Sequence, residues 1–216
     1  MTLTVETQVR YLNDEWRHRS GLPSIGDRES RRANTSKHSV FVRDARTKRD
    51  ALSLDVNGFV LVDHAPTVMD FSDENAVKSS YYSEIEQLTR DVSGADEVFI
   101  TNHLVRTEDK SNFNNAYARF LHCDYSLEDP RSASLKSLES RNLKRADYET
   151  ANFAWYNSWQ PFDHEARANP LAVIDATTLA DKDIVDYNYT GNNASNRSSM
   201  PMFNPCLLYT SDAADE

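Results

Sequence analysis

His122, Cys123 and Asp124 form the segment of this chain whose residue types and spacing could carry chemistry. Alternate side chains of a β-strand point to the same face, so a His-x-Asp triplet brings an imidazole and a carboxylate together. These groups are two of the three ligands of the 2-His-1-carboxylate triad that holds non-haem Fe(II). The only histidine after Asp124 is His164, which lies in a polar turn after Pro161 and is poorly placed as a ligand. The sequence therefore predicts an iron-binding pair that lacks its third ligand.

The strand that must position this pair is predicted over residues 117–125. Phe120 shares a face with His122 and Asp124, while Cys123 and Tyr125 take the other face, so a nucleophilic role for Cys123 at the metal is not expected. A single His-x-Asp triplet can also arise by chance in a chain with six histidines and 34 acidic residues.

The surrounding elements are predicted from apolar spacing. A helix capped by Ser72 or Asp73 should end at Gly94, with one apolar stripe facing the core, and a second helix should cover 132–149. Residues 1–36 should be irregular or form a short helix near 9–17, and the basic stretch over 28–49 should be a solvated loop.

The predicted turn and strands indicate the fold class. Asn57 and Gly58 should form a turn. Strands are predicted over 39–42, 59–62, 97–105, 152–159, 171–175 and 184–189. This pattern indicates an α+β protein with an incomplete double-stranded β-helix (jelly-roll) core and flanking helices.

Composition excludes several classes of function. With 216 residues, 39% hydrophobic and 27% charged, the chain reads as one soluble domain. A net charge of −10 argues against a nucleic-acid surface, and no apolar run approaches the roughly 18 residues that a transmembrane helix needs. The N-terminus has no secretory pattern, and two cysteines make no disulfide framework, so a cytoplasmic location is expected.

The last eleven residues, 206–216, back-translate to the transposase adapter of sequencing libraries, read in frame. We therefore expect the natural sequence of this fragment to end near Pro205.

Seven segments, in order, resemble the CmcJ-like family, which includes the asaB-type hydroxylase/desaturases of fungal secondary metabolism. The resemblance begins near Asn57 and ends at Pro205, and the metal segment matches the family pattern R-x-x-H-x-D-Y-T/S. The matching segments are 57–61, 68–85, 102–106, 119–126, 157–161, 169–175 and 203–205.

The resemblance implies an Fe(II)/2-oxoglutarate-dependent oxygenase, a hydroxylase or desaturase that uses O₂ on a small organic substrate. His122 and Asp124 would bind the metal, with no catalytic residue beyond the ligands. Tyr125 or His103 would fix the tautomer of His122. Contacts to the cosubstrate or substrate are expected from Arg106, Arg119, His103, Tyr125, Trp159 and Gln160. The chain then divides into a polar extension with a first strand (1–56), a partial oxygenase domain (57–205) and the adapter-like tail (206–216).

Two departures from the family pattern matter. Gln160 stands where the family usually has arginine, and the distal histidine and the 2-oxoglutarate-binding arginine would lie beyond 205. The chain by itself should therefore retain Fe(II) weakly or not at all and be inactive. Two alternatives stay open: a non-catalytic β-sandwich that binds small molecules, and an accessory subunit of a partner enzyme.

Overall fold

Two small β-sheets form the centre of the computed structural model, which describes residues 4–107, 120–127, 130–166, 170–191 and 196–211. In the first sheet, strand β1 (Thr4–Leu12) pairs antiparallel along its whole length with β3 (Thr35–Asp44). Strand β3 also pairs parallel with β7 (Tyr209–Ser211), and β7 pairs antiparallel with β4 (Val173–Ile174). The order of strands is β1-β3-β7-β4.

The second sheet carries the strands nearest to the His-x-Asp segment. Strand β5 (Ile184–Tyr189) lies between β2 (Ser24–Ile25), with which it is parallel, and β6 (Asn196–Pro201), with which it is antiparallel. A single bridge from Leu12 to Met202 connects the end of β1 with the residue after β6.

The core consists of apolar clusters on opposite sides of β1. Tyr11 packs with residues of β3 and β7, whereas the next residue, Leu12, packs with Ile25, Tyr187 and Met200 of the second sheet. The alternation of strand side chains thus lets one strand serve both clusters.

A third cluster lies under the main helix. Helix α3 (Glu74–Ala76), a π-helical turn (Val77–Tyr81) and α4 (Tyr82–Ser93) run on without a break. Asp73 caps its first turn and Gly94 ends it in the left-handed conformation at φ 69°, as the sequence predicts. The remaining helices are α1 (Arg28–Asn34), α2 (Leu54–Asn57) and α5 (Pro130–Ser140), with 3₁₀ turns at Asp14–Arg17, Ala45–Ala51, Arg145–Tyr148, Ala176–Thr178 and Asp181–Asp183. Among the described residues, none of the helices could cross a membrane.

The α+β class is confirmed, together with the turn at Gly58 and the strands at 39–42 and 184–189, while the strand predicted over 171–175 is only two residues long. Three predicted strands are wrong, because 59–62, 97–105 and 152–159 form neither strand nor helix. Strand-type residues form a strand only where a partner strand lies alongside, which local sequence does not specify.

The N-terminal prediction is also wrong, since Thr4–Leu12 forms β1, and of the short helix expected near 9–17 only Asp14–Arg17 is helical. The basic stretch is not a loop but forms α1 and β3. The helix predicted over 132–149 ends at Ser140, because Asn142 takes a positive φ of 61° and turns the chain before Arg145–Tyr148.

The tail expected to be adapter-derived takes part in the first sheet through β7, and Leu207 is buried beside it. Its non-native origin stays a prediction, because packing reports only how this sequence folds.

Candidate metal site

The His-x-Asp segment lies between the two sheets and is bonded to both. The Leu121 N–H donates to the carbonyl of Arg10 on β1 at 3.3 Å, and the Cys123 N–H donates to the carbonyl of Ser199 on β6 at 2.8 Å. Phe120 packs against the cluster around Tyr187, whereas Leu121 packs against the cluster around Tyr11, so side chains alternate as predicted. The regular strand expected over 117–125 is instead one bridge at Cys123, and residues 117–119 of that prediction lie outside the described residues.

The side chains of His122 and Asp124 converge. Nε2 of His122 lies 3.2 Å from Oδ1 of Asp124. The other imidazole nitrogen, Nδ1, donates to the carbonyl of Phe120 at 3.0 Å, and the other carboxylate oxygen, Oδ2, accepts from Nδ2 of Asn157 at 2.8 Å. Each side chain therefore has one polar atom held by another group of the protein and one polar atom directed at its neighbour.

His122 and Asp124 also shift each other's pKa. Burial lowers the pKa of His122, but the hydrogen bonds to Asp124 and to the Phe120 carbonyl outweigh it, so that pKa is raised. The hydrogen bond from His122 lowers the pKa of Asp124 against the effect of burial, and the Asn157 amide lowers it further. The positive charge of Arg106 lowers the pKa of both residues. The carboxylate is thus kept ionised, as a metal ligand must be.

These donors fit a divalent first-row metal. A neutral imidazole nitrogen and a carboxylate oxygen are ligands that Fe(II) accepts, and a metal-bound histidine typically donates its second N–H to a carbonyl, as His122 does. Nowhere among the described residues do three histidine, cysteine or acidic side chains come together in a way that could hold a metal. His164 therefore does not complete this pair.

The structure places two of the remaining predicted site residues in aromatic contacts. Tyr82 on α4 bonds through its hydroxyl to Nδ1 of His103 at 2.8 Å, and Tyr125 stacks on Trp155 with ring centroids 4.0 Å apart. Neither residue orients His122, because the Phe120 carbonyl takes the role that was expected of Tyr125 or His103. Their contacts with a substrate stay predictions.

The other predicted residues differ in their surroundings. Arg106 is exposed and its charge acts on the metal pair. Gln160 lies in a polar cluster, where its Oε1 accepts from the Tyr81 hydroxyl at 2.7 Å and its Nε2 donates to the His64 carbonyl at 3.1 Å. Trp159 is half-buried, and Arg119 lies outside the described residues. No contact in the described part of the chain tests their substrate roles, which stay predictions.

Sequence reasoning missed the groups that hold the pair in place. Asn157 lies in the same matched segment as Trp159, and an amide near a metal carboxylate could have been suspected from that position. The carbonyl of Phe120 gives no signal in the sequence, because backbone groups are common to all residues. The buried Asp186 on β5, which bonds Ser126 and Ser199, was not singled out either.

Comparison with known proteins agrees with the geometry. The chain is 29% identical over 158 residues to the Fe(II)/2-oxoglutarate-dependent dioxygenase nvfI of Aspergillus novofumigatus, covering 70% of this chain and 55% of that protein. It is 29% identical over 198 residues to the hydroxylase/desaturase efuI of Hormonema carpetanum, covering 84% and 65%. The chain thus spans less than two thirds of the length of these relatives.

A solved structure of the iron and alpha-ketoglutarate-dependent endoperoxidase NvfI superimposes with a TM-score of 0.74 and 19% identity, covering 97% of this chain and 79% of that one. This likeness confirms the jelly-roll-like α+β fold, and the named relatives confirm the resemblance to fungal hydroxylase/desaturases. The model of the family described as "Oxidoreductase/YMDC permease-like domain" matches residues 11–205, and the chain belongs to that family.

Proposed function

We propose that this chain is part of an Fe(II)/2-oxoglutarate-dependent oxygenase that hydroxylates or desaturates a small organic molecule, with His122 and Asp124 as two of the three iron ligands. The observation that carries the proposal is the 3.2 Å approach of Nε2 to Oδ1, with the second atom of each side chain held by the protein. The two relatives named as a dioxygenase and a hydroxylase/desaturase support the same class.

Several residues of the chain would hold or orient the metal and its cosubstrate. The Phe120 carbonyl keeps the proton of His122 on Nδ1, which leaves Nε2 as the donor atom. Asn157 occupies Oδ2 of Asp124, so the carboxylate would bind through Oδ1 alone. Arg106 supplies a positive charge near the pair, where a carboxylate of the cosubstrate could be held. When bound, Fe(II) with 2-oxoglutarate and O₂ would supply the oxidation. The described residues do not supply the third ligand of such a triad.

The metal pair can be tested with Cu(II), because imidazole and carboxylate sites bind Cu(II) more tightly than Fe(II) and two ligands then suffice for detection. We expect Cu(II) binding, followed by electron paramagnetic resonance, to show one nitrogen ligand that is lost in His122→Ala and weakened in Asp124→Ala. His103→Ala is the matched control, because His103 bonds Tyr82 rather than the pair. Binding that neither His122→Ala nor Asp124→Ala changes would contradict the proposal.

The reaction class needs a second measurement. Free imidazole can stand in for the third ligand, so Fe(II), O₂, imidazole and ascorbate should allow the chain to convert 2-oxoglutarate to succinate and CO₂ above background, with ascorbate supplying the two electrons that reduce the second oxygen atom to water. Asp124→Ala should abolish the conversion. If the chain binds Cu(II) but forms succinate only after a second enzyme is added, the accessory-subunit alternative is favoured instead.

A further inference from the structure

The buried carboxylate of Asp186 contacts residues around the proposed metal pair but is not itself a proposed ligand. Asp186 on β5 has a side chain that is only 2% exposed. Its Oδ1 accepts from the Ser199 hydroxyl at 2.5 Å, and its Oδ2 accepts from the Ser126 hydroxyl and from Nε of Arg197, the latter at 2.6 Å. Burying a carboxylate is costly unless donors surround it, and here three donors do so.

Both serines are tied to the segment that carries Asp124. Ser126 is two residues after Asp124 in the chain. Ser199, which is fully buried, is the backbone partner of Cys123, the residue immediately before Asp124. Its hydroxyl, having given its hydrogen to Asp186, accepts from the N–H of Leu127 at 3.1 Å.

The carbonyl of Asp124 is also bonded to β6. It accepts from the hydroxyl of Ser198 on β6 at 3.1 Å. Asp124 therefore has a backbone bond before it at Cys123 and one at its own carbonyl, and Asp186 holds the hydroxyls of Ser126 and Ser199, which anchor the residues after it.

We propose that Asp186 is a positioning residue for the metal pair, which sets the direction of the Asp124 carboxylate by anchoring Ser126 and Ser199. The proposal deepens the proposed function and rests on it for the metal. It also explains why the residue is an aspartate. All three neighbours donate hydrogen bonds, and a carboxylate can accept them all, whereas an asparagine would turn its NH₂ towards at least one donor.

The chain offers a matched control in Asp183, three residues earlier. Its side chain is also buried and also paired with an arginine, Arg17, at 2.7 Å, and it accepts from Asn204 at 3.1 Å. Both partners lie in other segments than the metal pair. Asp183→Asn should therefore destabilise the fold without moving Asp124, whereas Asp186→Asn should move it.

The first readout needs no metal. In hydrogen exchange, Asp186→Asn should accelerate the Cys123 and Leu127 amides about tenfold or more and leave those of β1 unchanged, because only the anchor of 123–127 is loosened. Asp183→Asn should change the two amides no more than it changes β1. If Asp186→Asn does not fold, Ser126→Ala is the second variant, because it removes one anchor and leaves Asp186 its bonds to Ser199 and Arg197. Faster exchange of the Leu127 amide in Ser126→Ala would then support the positioning role, and unchanged exchange would contradict it.

The second readout is His122-dependent Cu(II) affinity. We expect Asp186→Asn to weaken it about tenfold or more, as loss of a supporting hydrogen-bond partner commonly does, and Asp183→Asn to leave it within about twofold. Unchanged exchange at Cys123 and Leu127, or equal acceleration in β1, would overturn the positioning role, as would unchanged Cu(II) affinity. If the unaltered chain shows no His122-dependent Cu(II) binding, the proposed function fails, and hydrogen exchange alone still decides whether Asp186 positions the segment.

Discussion

His122 and Asp124, the proposed metal pair, are oriented by other groups of the protein. His122 and Asp124 each direct one atom at the other, and each has its second atom bound by a group of the protein, a carbonyl in one case and the Asn157 amide in the other. Such fixation reduces the rotamer entropy that metal binding would otherwise cost. The pair could be predicted from residue type and spacing, whereas its fixation could not, because it depends on Phe120 backbone geometry and on a residue 33 positions away.

Gln160 is the residue whose role the structure makes most specific. Its amide joins the Tyr81 hydroxyl to His64, whose Nδ1 lies 3.1 Å from Gln160 Oε1 and whose Nε2 lies 2.7 Å from Glu84. A leucine of similar size would leave Tyr81 and His64 without these partners in a half-buried site.

We expect Gln160→Leu to lower the free energy of unfolding by about 1–3 kcal/mol, the cost of unpaired polar groups, in urea titrations followed by circular dichroism. Tyr81→Phe should cost less, about 0.5–1.5 kcal/mol, because it removes the donor and leaves Gln160 its other partner. The double variant should cost less than the two single changes together. Additive costs would show that the two side chains do not interact.

At the scale of elements, the helix from Glu74 to Ser93 depends on its first turn. Asp73 Oδ1 accepts from the N–H groups of Asn75 and Ala76 at 3.0 and 3.1 Å. The buried Val77 follows at once, so fraying of this turn would expose core.

Asp73→Ala should therefore destabilise the fold by about 1 kcal/mol, since it removes the side-chain acceptor of the cap. Asp73→Asn keeps an acceptor oxygen and should cost only a few tenths of a kcal/mol, mainly through the lost charge at the helix N-terminus. Thermal unfolding of both variants measures the difference. Equal losses would mean that charge, rather than the hydrogen bonds, stabilises the turn.

Helices and strands differ in how far the sequence specified them. The main helix was predicted at both ends because Asp73 and Gly94 act locally. Strand β1 was missed although Val5, Thr7, Val9 and Tyr11 alternate as strand residues do, because its partner β3 begins 23 residues after it ends. Conversely, 97–105 is rich in strand formers and yet has no partner strand in the described part of the chain. Whether a segment forms a strand here depended on a partner strand that is distant in sequence, rather than on the strand preference of the segment's own residues.

At the scale of the molecule, the metal segment is held at the junction of the two sheets. It bonds β1 through Leu121 and β6 through Cys123, so it contacts both sheets directly. Asp183 lies elsewhere at this junction, where it connects Arg17, after β1, with Asn204, after β6, and has no bond to the metal segment among the described residues.

The pH dependence of stability should reflect this carboxylate. The hydrogen bond from Arg17 lowers the pKa of Asp183, against burial and with help from Asn204, so the folded chain binds the proton less readily than the unfolded chain. Its contribution is therefore complete above the unfolded pKa of about 3.9 and is lost as the pH falls through the lower folded value.

Asp183→Asn should lower the free energy of unfolding by about 1–3 kcal/mol at pH 7 and show a flatter fall of stability below about pH 4 than the unaltered chain. Asp181→Asn, an exposed change in the same turn, controls for net charge. Parallel pH profiles of the unaltered chain and Asp183→Asn would show that Asp183 does not link protonation to folding.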